Sequence, residues 1–246
     1  MTRLADLPWP EAERAAGGPF LALLPVGSTE AHGPHLPLST DTLLAEGMAD
    51  AAAALLRARG RRVLVLPTFP YGVTECAGEF FGTLSVSART VESLVTDVAA
   101  SLRARGCAKL GLVNAHLEPA NRHALRAAAQ AATAAGLPTV LPDVVRRVYA
   151  ERLGAEFRSG ACHAGDFEGS LVLALRPELV REGVRVALPE NPTSLGAALA
   201  AGKQKFKEAS GPQAYFGAPA VASAETGRAL LRELATIVAD EMEGPG

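Results

Sequence analysis

The chain is short of aromatics, of lysine and of cysteine, and it has no long apolar run. Aromatic residues make up 5% of its 246 residues, and 24 basic against 26 acidic side chains leave a net charge of -2. A global basic footprint is therefore missing, stacking platforms are few, and nucleic acid is not an expected partner. Only Lys109, Lys203, Lys205 and Lys207 are lysines, beside abundant alanine, which reads as coding bias and decides nothing about chemistry. The three cysteines, Cys76, Cys107 and Cys162, are odd in number and widely spaced, which suggests neither a disulfide framework nor a cysteine zinc site and suits a reducing cytoplasm. Met1 to Gly18 carries Asp6, Glu11 and Glu13 without an apolar signal core, and no apolar run approaches the roughly 20 residues of a membrane span. A cytoplasmic protein without membrane contact is the expectation.

What is present is ordinary globular composition, 48% hydrophobic and 20% charged, over a length that suits one domain, residues 1–246. Short apolar runs bounded by turn residues at Phe20 to Val26, Arg62 to Leu66, Lys109 to Val113 and Thr139 to Leu141 suit the strands of a covered parallel sheet. Between them, Asp41 to Arg59, Thr90 to Arg105 and Pro119 to Ala135 are rich in Ala and Leu and end near Gly60, Gly106 and Gly136, as helices do. Alternating strand and helix predicts an α/β fold with helices on both faces and right-handed crossovers. Farther along, Cys162 to Leu175 runs from a loop into a helix, Ala187 to Gly217 is irregular, and Ser223 to Glu243 reads as a closing helix. Lys203, Lys205 and Lys207 are taken as a solvated surface rather than an anion site.

All five histidines, His32, His35, His116, His123 and His163, fall in three short polar segments. The first runs from Gly27 to Asp41 and leaves a predicted strand. Glu30 and His32 are two apart, so in extended backbone their side chains share a face. After another predicted strand, His116 and Glu118 repeat that spacing, followed by Pro119 at a helix start. In open α/β sheets ligands bind beyond the carboxyl ends of the strands, where both pairs could meet, with Asp41 as a third carboxylate. Mixed histidine and carboxylate ligands suit Zn²⁺ or Mn²⁺. Five such groups exceed what one open catalytic site needs, whereas two cations sharing a carboxylate would use them all. In the third segment, Gly160 to Ser170, His163 and Glu168 are candidates for acid/base work or a further ligand. Helix capping by Asp166 and Glu168 is the competing reading.

These residues resemble the creatininase (creatinine amidohydrolase) family, whose members carry a strand followed by G-S-x-E-x-H-G-x-H-L-P-x-x-T-D, here Gly27 to Asp41. Further similarity lies in Asn114-x-His116, in His163-Ala164-Gly165-x-x-Glu168-x-Ser170, in Tyr71-Gly72 with Gly82-Thr83, and in Ala224-Glu225-x-Gly227. The resemblance implies a three-layer αβα sandwich with a mostly parallel sheet, two divalent metal ions, and hydrolysis of a C–N amide bond in a small-molecule substrate. A homo-oligomer such as a hexamer is also implied. It places Glu30, Asp41 and His116 on one metal and His32, Asp41 and Glu118 on the other, with His163 and Glu168 facing the substrate. Many members have glycine at the position of Glu118 and complete the second metal with a carboxylate matching Glu168; both are present here, and the choice stays open.

The implied chemistry is attack on the amide carbonyl by a hydroxide bridging the two metals, with the oxyanion against metal and His163 and the proton carried by Glu168. Creatinine itself fits poorly. Leu117 stands where its hydrolysers have an aromatic, Trp9 is the single tryptophan, and Cys76-Ala77 replaces a common Glu-His pair. His116-x-Glu118 lacks the P-C-x-x-C of zinc deaminases, Gly196 to Lys203 departs from a phosphate loop, and no G-x-S-x-G elbow exists. Rival readings are a non-catalytic metal- or ligand-binding protein of the same fold, and a binuclear phosphoesterase.

Overall fold

The structure is a computed structural model and describes residues 3–244. Its elements run α1 (Trp9–Ala16), β1 (Phe20–Val26), α2 (Thr40–Ala58), β2 (Val63–Val65), α3 (Ala88–Arg103), β3 (Cys107–Asn114), α4 (Pro119–Ala134), β4 (Thr139–Val140), α5 (Arg147–Ala150), α6 (Gly154–Ser159), α7 (Asp166–Leu175), α8 (Glu182–Arg185), α9 (Leu195–Ala200) and α10 (Ala224–Glu243). The four strands are parallel in the order β2-β1-β3-β4.

Both faces of the sheet are covered, which is why β1 is apolar at every position. Leu21 and Leu23 of β1 pack with α2, α7 and α10, while Phe20, Ala22, Leu24 and Val26 pack with α3 and α4. The result is the expected α/β arrangement of helices, sheet and helices. Leu23, Leu110 and Leu112 are fully buried, and burial of such a side chain contributes roughly 1.5–3 kcal/mol. The long helices before β2, β3 and β4 close at Gly60, Gly106 and Gly136, all with left-handed φ.

Two features position the site. The strand order reverses between β1 and β3, the switch point at which open sheets leave a crevice. Register then pairs Val26 with Asn114, so the chain leaves both strands side by side, into Gly27 and Ala115. A Cβ on Gly27 would press on the backbone of Thr42, so only glycine lets the loop after β1 lie against the start of α2.

The second half differs in detail from the sequence expectation. The irregular stretch contains α9, and Gly196 to Lys203 is this short helix and the turn after it. Lys205 Nζ donates to the Glu75 carbonyl at 2.7 Å, and Lys207 Nζ stands 5.2 Å over the Phe80 ring, so these lysines fasten neighbouring loops. The start of α7 is capped by neither Asp166 nor Glu168. The Glu156 carboxylate takes the amides of Asp166 and Phe167 at 2.9 Å each, which frees Glu168 to turn inward. Among the described residues, no helix is long and apolar enough to cross a membrane.

Candidate metal centre

Six buried titratable side chains converge at the switch point. Glu30 and His32 come from the loop after β1, Asp41 from the first turn of α2, His116 from the loop after β3, His163 from the loop before α7, and Glu168 from the first turn of α7. They form three overlapping groups of potential ligands: Glu30, Asp41 and His116; His32, Asp41 and Glu168; and Glu30, His32 and His163.

Each imidazole is oriented the same way. His32 Nδ1 donates to the Glu30 carbonyl at 3.1 Å, His116 Nε2 to the Val73 carbonyl at 2.8 Å, and His163 Nε2 to the Ala31 carbonyl at 3.0 Å. A carbonyl oxygen only accepts, so these contacts fix the tautomers and leave the opposite nitrogen of each ring with a lone pair. Those lone pairs point at carboxylates. His32 Nε2 is 3.2 Å from Asp41 Oδ1 and 3.5 Å from Glu168 Oε2; His116 Nδ1 is 3.1 Å from Asp41 Oδ2 and 3.4 Å from Glu30 Oε1; His163 Nδ1 is 3.9 Å from Glu30 Oε1. His32 Nε2 is fully buried without a hydrogen-bond partner. Lone pairs facing carboxylates in a dry interior repel unless a cation lies between them, and the donor set fits a divalent metal of the Zn²⁺ or Mn²⁺ kind.

Protons serve as that cation when no metal does. Burial pulls the His32 imidazolium down, but Asp41, Glu168 and Glu30 lift it to about 10, and His116 is raised well above its ordinary value by Glu30 and Asp41 against the same burial. Burial would raise the Asp41 carboxyl, yet His32 and His116 hold it well below the carboxylate range. Burial pushes Glu168 up to about 8, and burial beside His32 lowers His163 to about 4.

Asp41 joins the groups, one carboxylate oxygen facing His32 and the other His116. Ser28 Oγ donates to Asp41 Oδ2 at 2.8 Å, and the Thr74 hydroxyl donates to Glu30 Oε2. Ser28 lies within the sequence motif, whereas Thr74 falls between Tyr71-Gly72 and Cys76-Ala77 without being marked itself. Ala164 adopts left-handed φ of 53° and donates its amide to Glu168 Oε2 at 2.6 Å, a strained residue locking that carboxylate in place.

Glu118 lies elsewhere. It is the N-cap residue of α4, and its oxygens accept the amides of Glu75 and Cys76 at 3.0 and 3.1 Å, so it lines the cavity without joining any of the three groups. His35 is buried against the edge of Tyr215 and stays neutral, and His123 is exposed on α4; neither joins the cluster. Burial raises the Cys162 thiol, and burial beside Glu118 pushes Cys76 up to about 12, so both remain protonated thiols at neutral pH.

The cluster opens into a cavity of about 520 Å³ whose walls include Leu117, Phe157, Leu199 and Phe206, together with Arg122 and Arg158. Phe206 packs on His163 at 4.6 Å between ring centroids. A parallel α/β sheet with this buried donor set at its switch point defines a metal-binding α/β protein with a small-molecule pocket.

Comparison with known proteins narrows the class. The creatininase model, described as creatinine amidohydrolase, matches residues 5–242, and the chain belongs to that family of metal-dependent amidohydrolases. It is 32% identical over 221 residues to a mycofactocin precursor peptide peptidase of Mycobacterium ulcerans, covering 86% of this chain and 80% of the relative. It is also 32% identical over 198 residues to the creatinine amidohydrolase of Pseudomonas putida, covering 72% and 73%. A crystal structure of creatinine amidohydrolase superposes with TM-score 0.71 at 26% identity, covering 97% of this chain and 95% of that one. A creatininase structure described with Mn gives 0.71 at 25%, covering 97% and 96%.

Proposed function

We propose that this protein hydrolyses a C–N amide bond of a small substrate with two divalent cations, Zn²⁺ or Mn²⁺, bound at the switch point. The observation that carries the reading is the convergence of three imidazole lone pairs with the carboxylates of Glu30, Asp41 and Glu168 in one buried cluster. Glu30, Asp41 and His116 would hold one cation, and His32, Asp41 and Glu168 the other, with Asp41 shared. Glu168 thus takes the place that the family pattern also offers to Glu118, because Glu118 is committed to backbone amides. When bound, such cations polarise a carbonyl and lower the pKa of water toward neutrality.

The remaining steps belong to side chains of this protein. Ser28 and Thr74 orient Asp41 and Glu30 through hydroxyl donors. His163 is neutral, and its Nε2 proton is committed to the Ala31 carbonyl, so Nδ1 is an acceptor. It is therefore suited to accept a hydrogen bond from the attacking water or from the substrate N–H and so orient it, rather than to donate to an oxyanion. Phe206 and Phe216 pack about the His163 ring and hold it in place. Leu117 in the wall, and Trp9 exposed on α1 away from the cavity, favour amides other than creatinine.

The reading is tested by loading the protein with Zn²⁺ or Mn²⁺ and following amine release from lactams, formamides and short peptides, with a phosphodiester as contrast. Metal-dependent release that is lost in Asp41→Ala is expected. Turnover of the phosphodiester alone, or amide release that survives Asp41→Ala at the parental rate, overturns it.

A further inference from the structure

The wall of the cavity carries positive charge that the metal ligands do not use. Arg158, on α6, lines it, is exposed, and among the described residues has no hydrogen-bond or ion-pair partner. Arg122, on α4, lines it too and gives only Nη2 to Asp143, at 2.9 and 2.8 Å; its Nε is buried without a partner. Arg126 also donates to Asp143, at 2.9 Å, so two guanidinium groups share one carboxylate there. The acid on the same wall, Glu118, accepts the amides of Glu75 and Cys76 and pairs with neither arginine. The cavity is also lined by the apolar side chains of Leu117, Phe157 and Leu199.

A guanidinium left without a counter-ion at the wall of a partly apolar cavity is a ready partner for an anionic ligand, and its planar fork matches a carboxylate in two parallel hydrogen bonds. We propose that the substrate is a carboxylate-bearing amide: its carboxylate is held by Arg158 with Arg122 beside it, its apolar body lies along Leu117, Phe157 and Leu199, and its amide reaches the metal ligands. This rests on the amide-hydrolase reading and adds the substrate class. Arg158 is then a specificity-determining residue that acts on binding rather than on bond cleavage.

The test uses the metal-loaded full chain and two probes that differ by one group, N-acetyl-6-aminohexanoic acid, whose alkyl chain separates amide from carboxylate, and N-pentylacetamide, the same molecule without its carboxylate. Calorimetric titration of both into the parent, Arg158→Gln, Arg158→Lys and Arg122→Gln measures the preference. The parent is expected to bind the acid at least about tenfold more tightly than the neutral probe, the scale of a charge-assisted hydrogen bond. Arg158→Gln should erase that preference without changing binding of the neutral probe, Arg158→Lys should restore part of it, and Arg122→Gln should weaken it. Arg158 is exposed, so its substitutions leave the core intact. Equal binding of both probes by the parent overturns the proposal. So does a preference that survives Arg158→Gln, since the carboxylate would then be bound to metal. Should the preference follow Arg158 while no amide in the activity panel is cleaved, the hydrolase reading fails and the carboxylate site stands. Cleavage indifferent to a carboxylate, with equal binding of the two probes, removes the carboxylate site and leaves the hydrolase reading intact.

Discussion

Glu168 Oε2 lies 3.5 Å from His32 Nε2, while the Glu118 carboxylate is turned away onto the amides of Glu75 and Cys76. On the proposed reading, Glu168 rather than Glu118 completes the second cation site. Glu168→Gln is expected to lose one equivalent of metal on dialysis, and Glu118→Gln to keep the parental content, both read by elemental analysis. The opposite pattern would return Glu118 to the ligand set.

In the metal-free protein His32 is lifted to about 10, His116 well above its ordinary value and Glu168 to about 8, so all three hold protons at neutral pH. Divalent cations must displace them. Metal binding should release protons, with an apparent enthalpy that varies with the ionisation enthalpy of the buffer. Affinity should fall as pH is lowered below about 10, where His32 takes up its proton, and more steeply below about 8, where Glu168 does. A heat of binding independent of buffer would refute this.

His35 presents the opposite sign. Burial, with Arg185 and His32 nearby, lowers it from 6.5 to about 4, so the unfolded chain binds this proton more readily than the folded protein. Its contribution is complete above pH 6.5 and is lost as pH falls toward 4, at most about 3 kcal/mol. Denaturant unfolding in the presence of chelator should show the parent losing stability relative to His35→Gln across that window. Parallel profiles for the two proteins would contradict the assignment.

Gly227 lets α10 approach α7 closely, and a Cβ there would run into the Ser170 carbonyl and the Ala174 side chain. Gly227→Ala is expected to destabilise the fold by about 1–3 kcal/mol. Because Glu168 sits on the same helix as Ser170, metal affinity should fall with it. Thermal unfolding and metal titration check both effects; an unchanged melting temperature would show that the helices can part without cost.

Much of this organisation was legible in the sequence, for identifiable reasons. The β1 run matches the strand from Phe20 to Val26 because both faces are buried, and the long helices begin and end within two residues of the expected limits because glycine and proline bound them. That Glu30, His32, Asp41 and His116 come together was legible because three of them follow closely on the carboxyl ends of neighbouring strands and Asp41 opens the next helix. That Glu118 turns away while Glu168 turns inward was not legible. It depends on amides donated by another loop, on Glu156 capping α7, and on the strained backbone at Ala164, and none of these leaves a local pattern. Thr74 reaches Glu30 from a separate loop, a contact that only the folded chain creates. The grouping of all five histidines overstated the cluster, since His35 belongs to the core and His123 to an exposed helix face.

Anomalous diffraction from crystals of the metal-loaded protein, collected at the zinc and manganese edges, tests the central claim most directly. Two peaks flanking the Asp41 carboxylate are predicted, one among Glu30 and His116 and the other among His32 and Glu168. A single peak, or peaks bound only by residues outside this set, would contradict it.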